Sequence, residues 1–216
     1  MDTAFFMKNK ITAIKQQKKN QNRMNIYLDG EFAFGISNSL GQSLEIGDLL
    51  DDFAVEDLLQ KDYLERTWQK ALQFLNYRSR TEQELKEKLQ KSGFNDHAVS
   101  RVIEDCKEKG YINDQDYANQ WVESRTNCAP RSQRLLAIEL KRKKVPEIVI
   151  IDALSKANPD QELALAASKK YWRRLDNYGV EEKKAKLQGY LLRRGFSYDV
   201  IRDSVKSMFE MDEKES

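Results

Sequence analysis

Residues 81–103 read TEQELKEKLQKSGFNDHAVSRVI, and the same spacing of apolar side chains returns in residues 132–154, SQRLLAIELKRKKVPEIVIIDAL, and in residues 183–205, KKAKLQGYLLRRGFSYDVIRDSV. The apolar positions of the first copy are Leu85, Leu89, Phe94, Val99 and Ile103, and each later copy follows 51 residues after the one before it. A fixed interval of this length is typical of one supersecondary unit that is used several times. The chain is therefore predicted to contain three copies of the same unit.

Each copy predicts two helices joined by a short loop. The two leucines are four residues apart, which places them on one face of a helix, and the last two apolar positions lie one turn apart on a second helix. The loop and the start of the second helix also keep the interval of 51 residues, with Gly93, Lys144 and Gly195 in the loop and Asn95, Pro146 and Ser197 at the helix start. A further helix before each pair completes a three-helix unit, in which Trp121 and Trp172 keep the same interval.

The fold class predicted from this pattern is mainly α, with three tandem three-helix repeats that follow a small N-terminal segment containing a β-hairpin. The hairpin is indicated by Asp29-Gly30 between two β-prone segments. The acidic stretch after it has Leu49, Leu50, Phe53 and Leu58 at helical spacing, so its acids are predicted to form a solvent face. The predicted boundaries are 1–44 for the hairpin lead, 45–63 for an acidic helical connector, 64–113, 114–158 and 159–210 for repeats 1, 2 and 3, and 211–216 for a frayed tail.

Several classes of protein are disfavoured by composition. No apolar run approaches the ~18 residues that cross a bilayer, and the short apolar run at residues 4–7 is not a secretion signal, so a cytoplasmic protein is expected. Cys106 and Cys128 form no CxxC motif, and His97 is the sole histidine. We therefore predict no catalytic, metal or cofactor site and a protein that is not an enzyme.

Positive charge is concentrated in the second half of the chain. Residues 45–65 carry a net charge of −7 and residues 131–195 carry +8, although the whole chain has only +2. A basic surface on stacked helices is typical of proteins that bind nucleic acid, whereas the alternative is an ordinary solvated helix face. The candidate basic face comprises Arg131, Arg134, Lys141, Arg142, Lys143, Lys144, Lys169, Lys170, Arg173, Arg174, Lys183, Lys184, Lys186, Arg193 and Arg194.

Two apolar residues lie among these cations. Leu135 and Ile138 either pack against the neighbouring repeat or form a strip that contacts a partner protein, and packing is the favoured alternative. Projection at about 100° per residue places four cations within about a third of the helix circumference, opposite Leu136 and Leu140. These cations are Arg131, Arg134, Lys141 and Arg142.

The stretch EKGYINDQDYANQWVESR at residues 108–125 resembles the signature of the RecX regulatory family. The run RTEQEL at residues 80–85 and the pair Pro130-Arg131 resemble the same family, and the resemblance covers about residues 60–210. Two departures, Cys128-Ala129-Pro130 in place of Gly-Pro and Lys144 in place of Gly, affect loop geometry.

Membership implies three three-helix repeats in an elongated curved body and a modulator, usually an inhibitor, of the RecA recombinase in recombinational repair and the SOS response. It implies a RecA filament on single-stranded DNA as partner. Independently of the resemblance, Arg125, Leu135 and Ile138 are the candidate contacts to a partner. We expect a monomer that binds bare single-stranded DNA weakly, with strong salt dependence and little sequence preference. The alternatives are a nonspecific protein that acts on DNA directly and a helical-repeat scaffold for another protein.

Overall fold

The structure is a computed structural model, and it describes residues 9–215. The described chain contains four short strands followed mainly by helices. The strands are β1 (Asn9–Gln16), β2 (Arg23–Leu28), β3 (Glu31–Ser37) and β4 (Leu49–Leu50). The helices are α1 (Asn38–Gly41), α2 (Asp52–Tyr77), α3 (Glu82–Lys91), α4 (Asp96–Glu108), α5 (Asp114–Cys128), α6 (Gln133–Arg142), α7 (Glu147–Ser155), α8 (Asp160–Trp172), α9 (Val180–Arg193) and α10 (Tyr198–Glu215).

The N-terminal strands form one antiparallel sheet in the order β3-β2-β1-β4. Asp29 and Gly30 join β2 to β3 with φ values of 48° and 92°, as a tight hairpin turn requires, so the hairpin prediction is confirmed. Ile11, Ile26 and Ile36 of the sheet are fully buried in a core that also contains Leu58 of α2. The helix thus covers the apolar face of a sheet that would be marginal alone.

One acid of the predicted solvent face is in fact buried. Asp62 on α2 is 3% exposed and accepts two hydrogen bonds from the Arg23 guanidinium, at 3.0 and 2.9 Å, and a third from the Ser37 backbone N–H. The prediction was wrong for this residue because its partner lies 39 positions earlier in the chain, where helical periodicity cannot detect it.

Three predicted boundaries also differ from the observed elements. Leu49 and Leu50 form β4 and pair with β1, so the N-terminal sheet extends past residue 44. Helix α2 runs without interruption from Asp52 to Tyr77, so no break separates a connector from repeat 1 at residue 63. The last helix continues to Glu215, where fraying was expected from residue 211.

The three-helix repeats comprise α2–α4, α5–α7 and α8–α10. Gly93, Lys144 and Gly195 have φ values of 89°, 64° and 85°, so the same left-handed turn recurs every 51 residues, and it does so even where the residue is lysine. The helices that follow begin at Asp96, Glu147 and Tyr198, one residue after the predicted start residues. The repeat predicted from the sequence is therefore confirmed at the level of the backbone.

Repeats 2 and 3 each enclose an apolar core. Leu136, Leu140 and Ile150 are buried in repeat 2, and Leu187 and Leu191 are buried in repeat 3. These are the positions that the periodic pattern selected.

The joint between successive repeats is built twice from equivalent residues, although one of the two donors differs. In the first joint the Thr81 hydroxyl donates to the Lys143 carbonyl at 2.7 Å, and the next backbone N–H donates to the Asp114 carboxylate at 2.8 Å. In the second joint the Ser132 backbone N–H donates to the Arg194 carbonyl at 3.0 Å, and the next N–H donates to the Asp160 carboxylate at 2.8 Å. The start of each middle helix is thus satisfied by the following repeat, which supplies partners for its otherwise unpaired N–H groups.

The chain divides into two compact units. One unit comprises the residues up to Arg78 together with Lys88–Asp105, and the other comprises Ser79–Glu87 together with the residues from Cys106 onward. Repeats 2 and 3 lie entirely in the second unit, and the candidate site is built within it.

Candidate nucleic-acid interface

An acid within the basic region organises several of its cations. The Glu139 carboxylate on α6 accepts hydrogen bonds from the Trp121 indole at 3.0 Å, from Arg125 Nε at 3.3 Å and from the Arg131 guanidinium. Its side chain is only 13% exposed. A carboxylate that is nearly buried holds ionised partners strongly, so Glu139 keeps two arginines close together in spite of their like charge.

Arg131 lies before α6, which begins at Gln133, and not on the helix face where projection placed it. Its guanidinium folds back to Glu139. The pKa of Arg131 is lowered from its ordinary value, first by burial and then by the positive charges of Arg125 and Arg194. The arginines of repeats 2 and 3 therefore converge at this point.

Aromatic rings are packed against cations in both repeats. The Arg125 guanidinium lies 4.3 Å from the centre of the Trp121 ring, and the Lys183 ammonium lies 5.2 Å from the centre of the Trp172 ring. The Trp172 indole donates to Asp212 at 3.1 Å. Arg125, predicted as a partner contact, is thus engaged by Trp121 and Glu139 inside the molecule.

Other predicted cations form ion pairs with acids or donate a hydrogen bond to a backbone carbonyl. Lys143 and Lys144 face Glu84 and Glu87 of repeat 1 at 3.8 and 3.6 Å, and Lys170 donates to the Asn127 carbonyl. The other engaged cations are Lys141 with Glu147, Lys183 with Asp212 and Lys186 with Glu182. These lysines contribute to the fold and its surface, and their charges are partly compensated.

A second group of predicted cations is exposed and unengaged. Across residues 9–215 no hydrogen bond or ion pair involves these seven side chains, which are Arg134, Arg142, Lys169, Arg173, Arg174, Lys184 and Arg193. They all belong to repeats 2 and 3. No acid of the described chain compensates their charge. They can therefore bind an external anion without first breaking an ion pair within the protein.

The two apolar candidates have different surroundings. A Cβ atom built on Gly195 would lie 2.9 Å from Leu135 Cβ, so Leu135 packs closely against repeat 3. Ile138 remains 37% exposed. The favoured alternative, packing against the neighbouring repeat, describes Leu135, whereas Ile138 stays a predicted partner contact.

Sequence reasoning missed Glu139 and Tyr190 as parts of this region. The Tyr190 ring stacks on Tyr171 with centroids 4.0 Å apart and carries the Arg194 guanidinium at 4.4 Å. Glu139 and Tyr190 are themselves separated by 51 residues. The interval gives no signal for either residue, because the equivalent position is occupied by Lys88, Glu139 and Tyr190 in the three repeats.

Within residues 9–215 there is no group of three or more His, Cys, Asp or Glu side chains that could hold a metal ion. None of the helices described there is both long and apolar enough to cross a bilayer.

The chain matches four family models over most of its length. The model of the regulatory protein RecX N-terminal domain matches residues 9–51, and models of the first, second and third RecX three-helix domains match residues 68–106, 113–154 and 159–205. The matched ranges agree with the sheet and the three repeats.

Proteins named regulatory protein RecX are similar to nearly the whole chain. The protein from Clostridium perfringens strain 13 is 31% identical over 208 residues, which cover 92% of this chain and 96% of that protein. The protein from Bacillus subtilis strain 168 is 30% identical and covers 94% of this chain and 79% of its own length.

Two solved structures share the fold. A crystal structure of regulatory protein RecX aligns with a TM-score of 0.66 and 29% identity, covering 90% of this chain and 99% of that one. The crystal structure of RecX from Lactobacillus salivarius aligns with a TM-score of 0.58 and 25% identity, covering 68% of this chain and 97% of that one.

Proposed function

Because this chain belongs to the RecX family of regulatory proteins, we propose that it binds the RecA filament on single-stranded DNA and inhibits RecA without catalysing a reaction itself. The inhibited activities are ATP hydrolysis, filament extension and strand exchange. The proposal places the protein in the cytoplasm, as a monomer.

The observation that carries this proposal is the set of exposed, unengaged cations in repeats 2 and 3. A nucleoprotein filament offers phosphate groups, and Lys and Arg side chains that neutralise phosphates release condensed counterions. Arg134 and Arg142 are well suited to this role, since both are exposed on α6 and neither is held by an acid of the described chain. Arginine also matches phosphate oxygens with two parallel hydrogen bonds.

The test is RecA ATP hydrolysis on single-stranded DNA, measured with the wild-type protein and with Arg134→Glu/Arg142→Glu. We expect wild type to inhibit hydrolysis and the variant to need at least ~10-fold more protein for the same inhibition, because two phosphate contacts become repulsive. The matched control is Arg202→Glu/Lys206→Glu on α10, which changes the same number of charges at residues that already face Asp199 and Glu210.

The outcomes separate the parts of the proposal. Equal inhibition by the variant and wild type would show that this face is not the contact. Absence of inhibition by wild type would reject the function itself. Binding to DNA that is unaffected by RecA in a pull-down would favour the alternative of a protein that acts on DNA directly.

A further inference from the structure

The joint between repeats 2 and 3 contains a cleft of about 340 Å³ lined by Arg131, Leu135, Tyr190, Arg193 and Arg194. None of these described lining residues is acidic. The volume is roughly ten times that of a water molecule in the liquid, so a phosphate group with its shell of ligands fits.

Two of the three arginines of this cleft are held in place by the fold. Arg194 donates to the Pro130 carbonyl at 3.0 Å and lies over the Tyr190 ring, whose other face is covered by Tyr171. Arg131 is fixed by Glu139. Arginines that are already positioned lose little conformational entropy when an anion binds, which favours binding.

The first joint provides an internal comparison, because it has the same backbone arrangement and different side chains. The positions 51 residues before Leu135 and Tyr190 are Glu84 and Glu139. There the Lys143 ammonium lies 3.8 Å from Glu84, and Glu139 accepts from Arg125 and also from Arg131, which lines the cleft of the second joint. The first joint therefore contains its own carboxylates, and at the second joint those two positions are apolar or aromatic.

The fold does not require an apolar or aromatic residue at the positions of Leu135 and Tyr190, because the first joint has acids at the equivalent positions. Arg131 is paired with Glu139, but no acid lines the cleft beside Arg193 and Arg194, so the positive charge of these two arginines is not compensated there. Such charge is stabilised when an anion occupies the space that carboxylates fill in the first joint.

We propose that the cleft at the second joint is a phosphate-binding site, and that it holds one phosphodiester of a single DNA strand between Arg131, Arg193 and Arg194. The inference rests on the proposed function and narrows it from a broad basic face to one site. Base stacking contributes nothing here because both faces of Tyr190 are occupied, so the site reads no sequence.

The experiment measures binding of the full chain to fluorescein-labelled oligothymidylate by anisotropy, without RecA. The test variant is Arg193→Glu/Arg194→Glu. The control is Arg202→Glu/Lys206→Glu on α10 of the same repeat, two cations that lie outside the cleft lining and outside the candidate basic face and that already face Asp199 and Glu210. We expect the test variant to lose at least ~10-fold in affinity and the control less than ~3-fold. The salt slope of the test variant should fall by about 0.7, the value for one phosphate contact on a single strand.

Arg194 contributes a hydrogen bond to the joint, so unfolding of Arg193→Glu/Arg194→Glu would also reduce binding. A second pair of variants that keeps Arg194 excludes this explanation. Arg193→Glu alone is compared with Arg202→Glu alone, since both side chains are exposed and Arg202 lies outside the candidate basic face. In addition, inorganic phosphate is expected to raise the melting temperature of wild type more than that of Arg193→Glu.

Equal losses in the two pairs would overturn the cleft and leave diffuse charge as the source of binding. An absence of measurable oligothymidylate binding would overturn the site while leaving inhibition of RecA open to the ATP-hydrolysis test. A phosphate effect in wild type without any difference between the two oligothymidylate pairs would also overturn it, because the site would then take free phosphate and not the strand.

Discussion

The three equivalent loop positions offer a direct test of how the repeats are joined. Gly93, Lys144 and Gly195 share a left-handed backbone, but their surroundings differ. A Cβ added at Gly195 would lie 2.6 Å from Ser132 Oγ and 2.9 Å from Leu135 Cβ, whereas a Cβ at Gly93 would meet nothing within 4 Å. Alanine at the two glycine positions therefore separates backbone strain from close packing.

The expected magnitudes follow from these distances. A left-handed conformation costs an alanine about 1–2 kcal/mol at either position. Crowding at Gly195 adds about 1–3 kcal/mol, because both neighbours belong to a packed joint and must move. We expect Gly195→Ala to lower the free energy of unfolding by about 3 kcal/mol and Gly93→Ala by about 1 kcal/mol.

The assay is urea unfolding of the full chain followed by tryptophan fluorescence, with the slope m compared between variants. Ser132→Ala combined with Gly195→Ala should cost less than the sum of the single changes, since removal of Ser132 Oγ, which would lie 2.6 Å from the new methyl group, relieves the closest contact. Equal losses for Gly195→Ala and Gly93→Ala, or strict additivity in the double variant, would refute close packing at the second joint.

Three further predictions concern side chains of the second unit. Glu139→Gln should lower the free energy of unfolding by about 2 kcal/mol, because two arginines lose their counter-charge. The control Glu147→Gln, at an exposed ion pair, should lower it by under about 0.5 kcal/mol. Equal losses in urea unfolding would contradict this prediction. Thr81→Ala should cost about 1–2 kcal/mol in the same assay, because it removes the cap to the Glu84 N–H and the bond to the Lys143 carbonyl, and Thr81→Ser should restore most of it. Burial raises the pKa of Asp114, so the folded protein keeps the carboxyl proton to a higher pH than the unfolded chain does. The stability that the neutral carboxyl contributes is therefore lost as the pH rises through the raised pKa. Asp114→Asn, which stays neutral, should therefore gain stability relative to wild type as the pH rises, and a pH-independent difference in melting temperature would disprove the assignment.

The features of the fold that the sequence predicted are those set by local spacing. The four-residue leucine interval and the start residues Asn95, Pro146 and Ser197 act within one or two helical turns, so the order in the chain is enough to read them. The pair Asp62 and Arg23 could not be predicted, because contact across 39 residues depends on how the sheet packs on α2.

The candidate site was predicted less completely for a related reason. Counting charge along the chain identifies where cations are abundant, but it does not distinguish Lys143, which faces an acid of repeat 1, from Arg142, which faces none among the described residues. That distinction depends on the partners that tertiary structure supplies. It divides the predicted basic face into residues that hold neighbouring repeats together and residues that are available to bind an external anion.

The two equivalent tryptophans show how this division bears on function. Trp121 and Trp172 both donate an indole N–H to an acid and both lie against a cation, yet the acid comes from α6 in one repeat and from α10 in the other. Because the same arrangement is reached with acids from non-equivalent positions, its common element is the packing of the tryptophan, and the cations beside it serve that packing. The two tryptophan rings and the cations beside them are therefore already engaged within the protein. We expect the exposed arginines of the second joint and of α6 to contact a nucleic-acid strand instead.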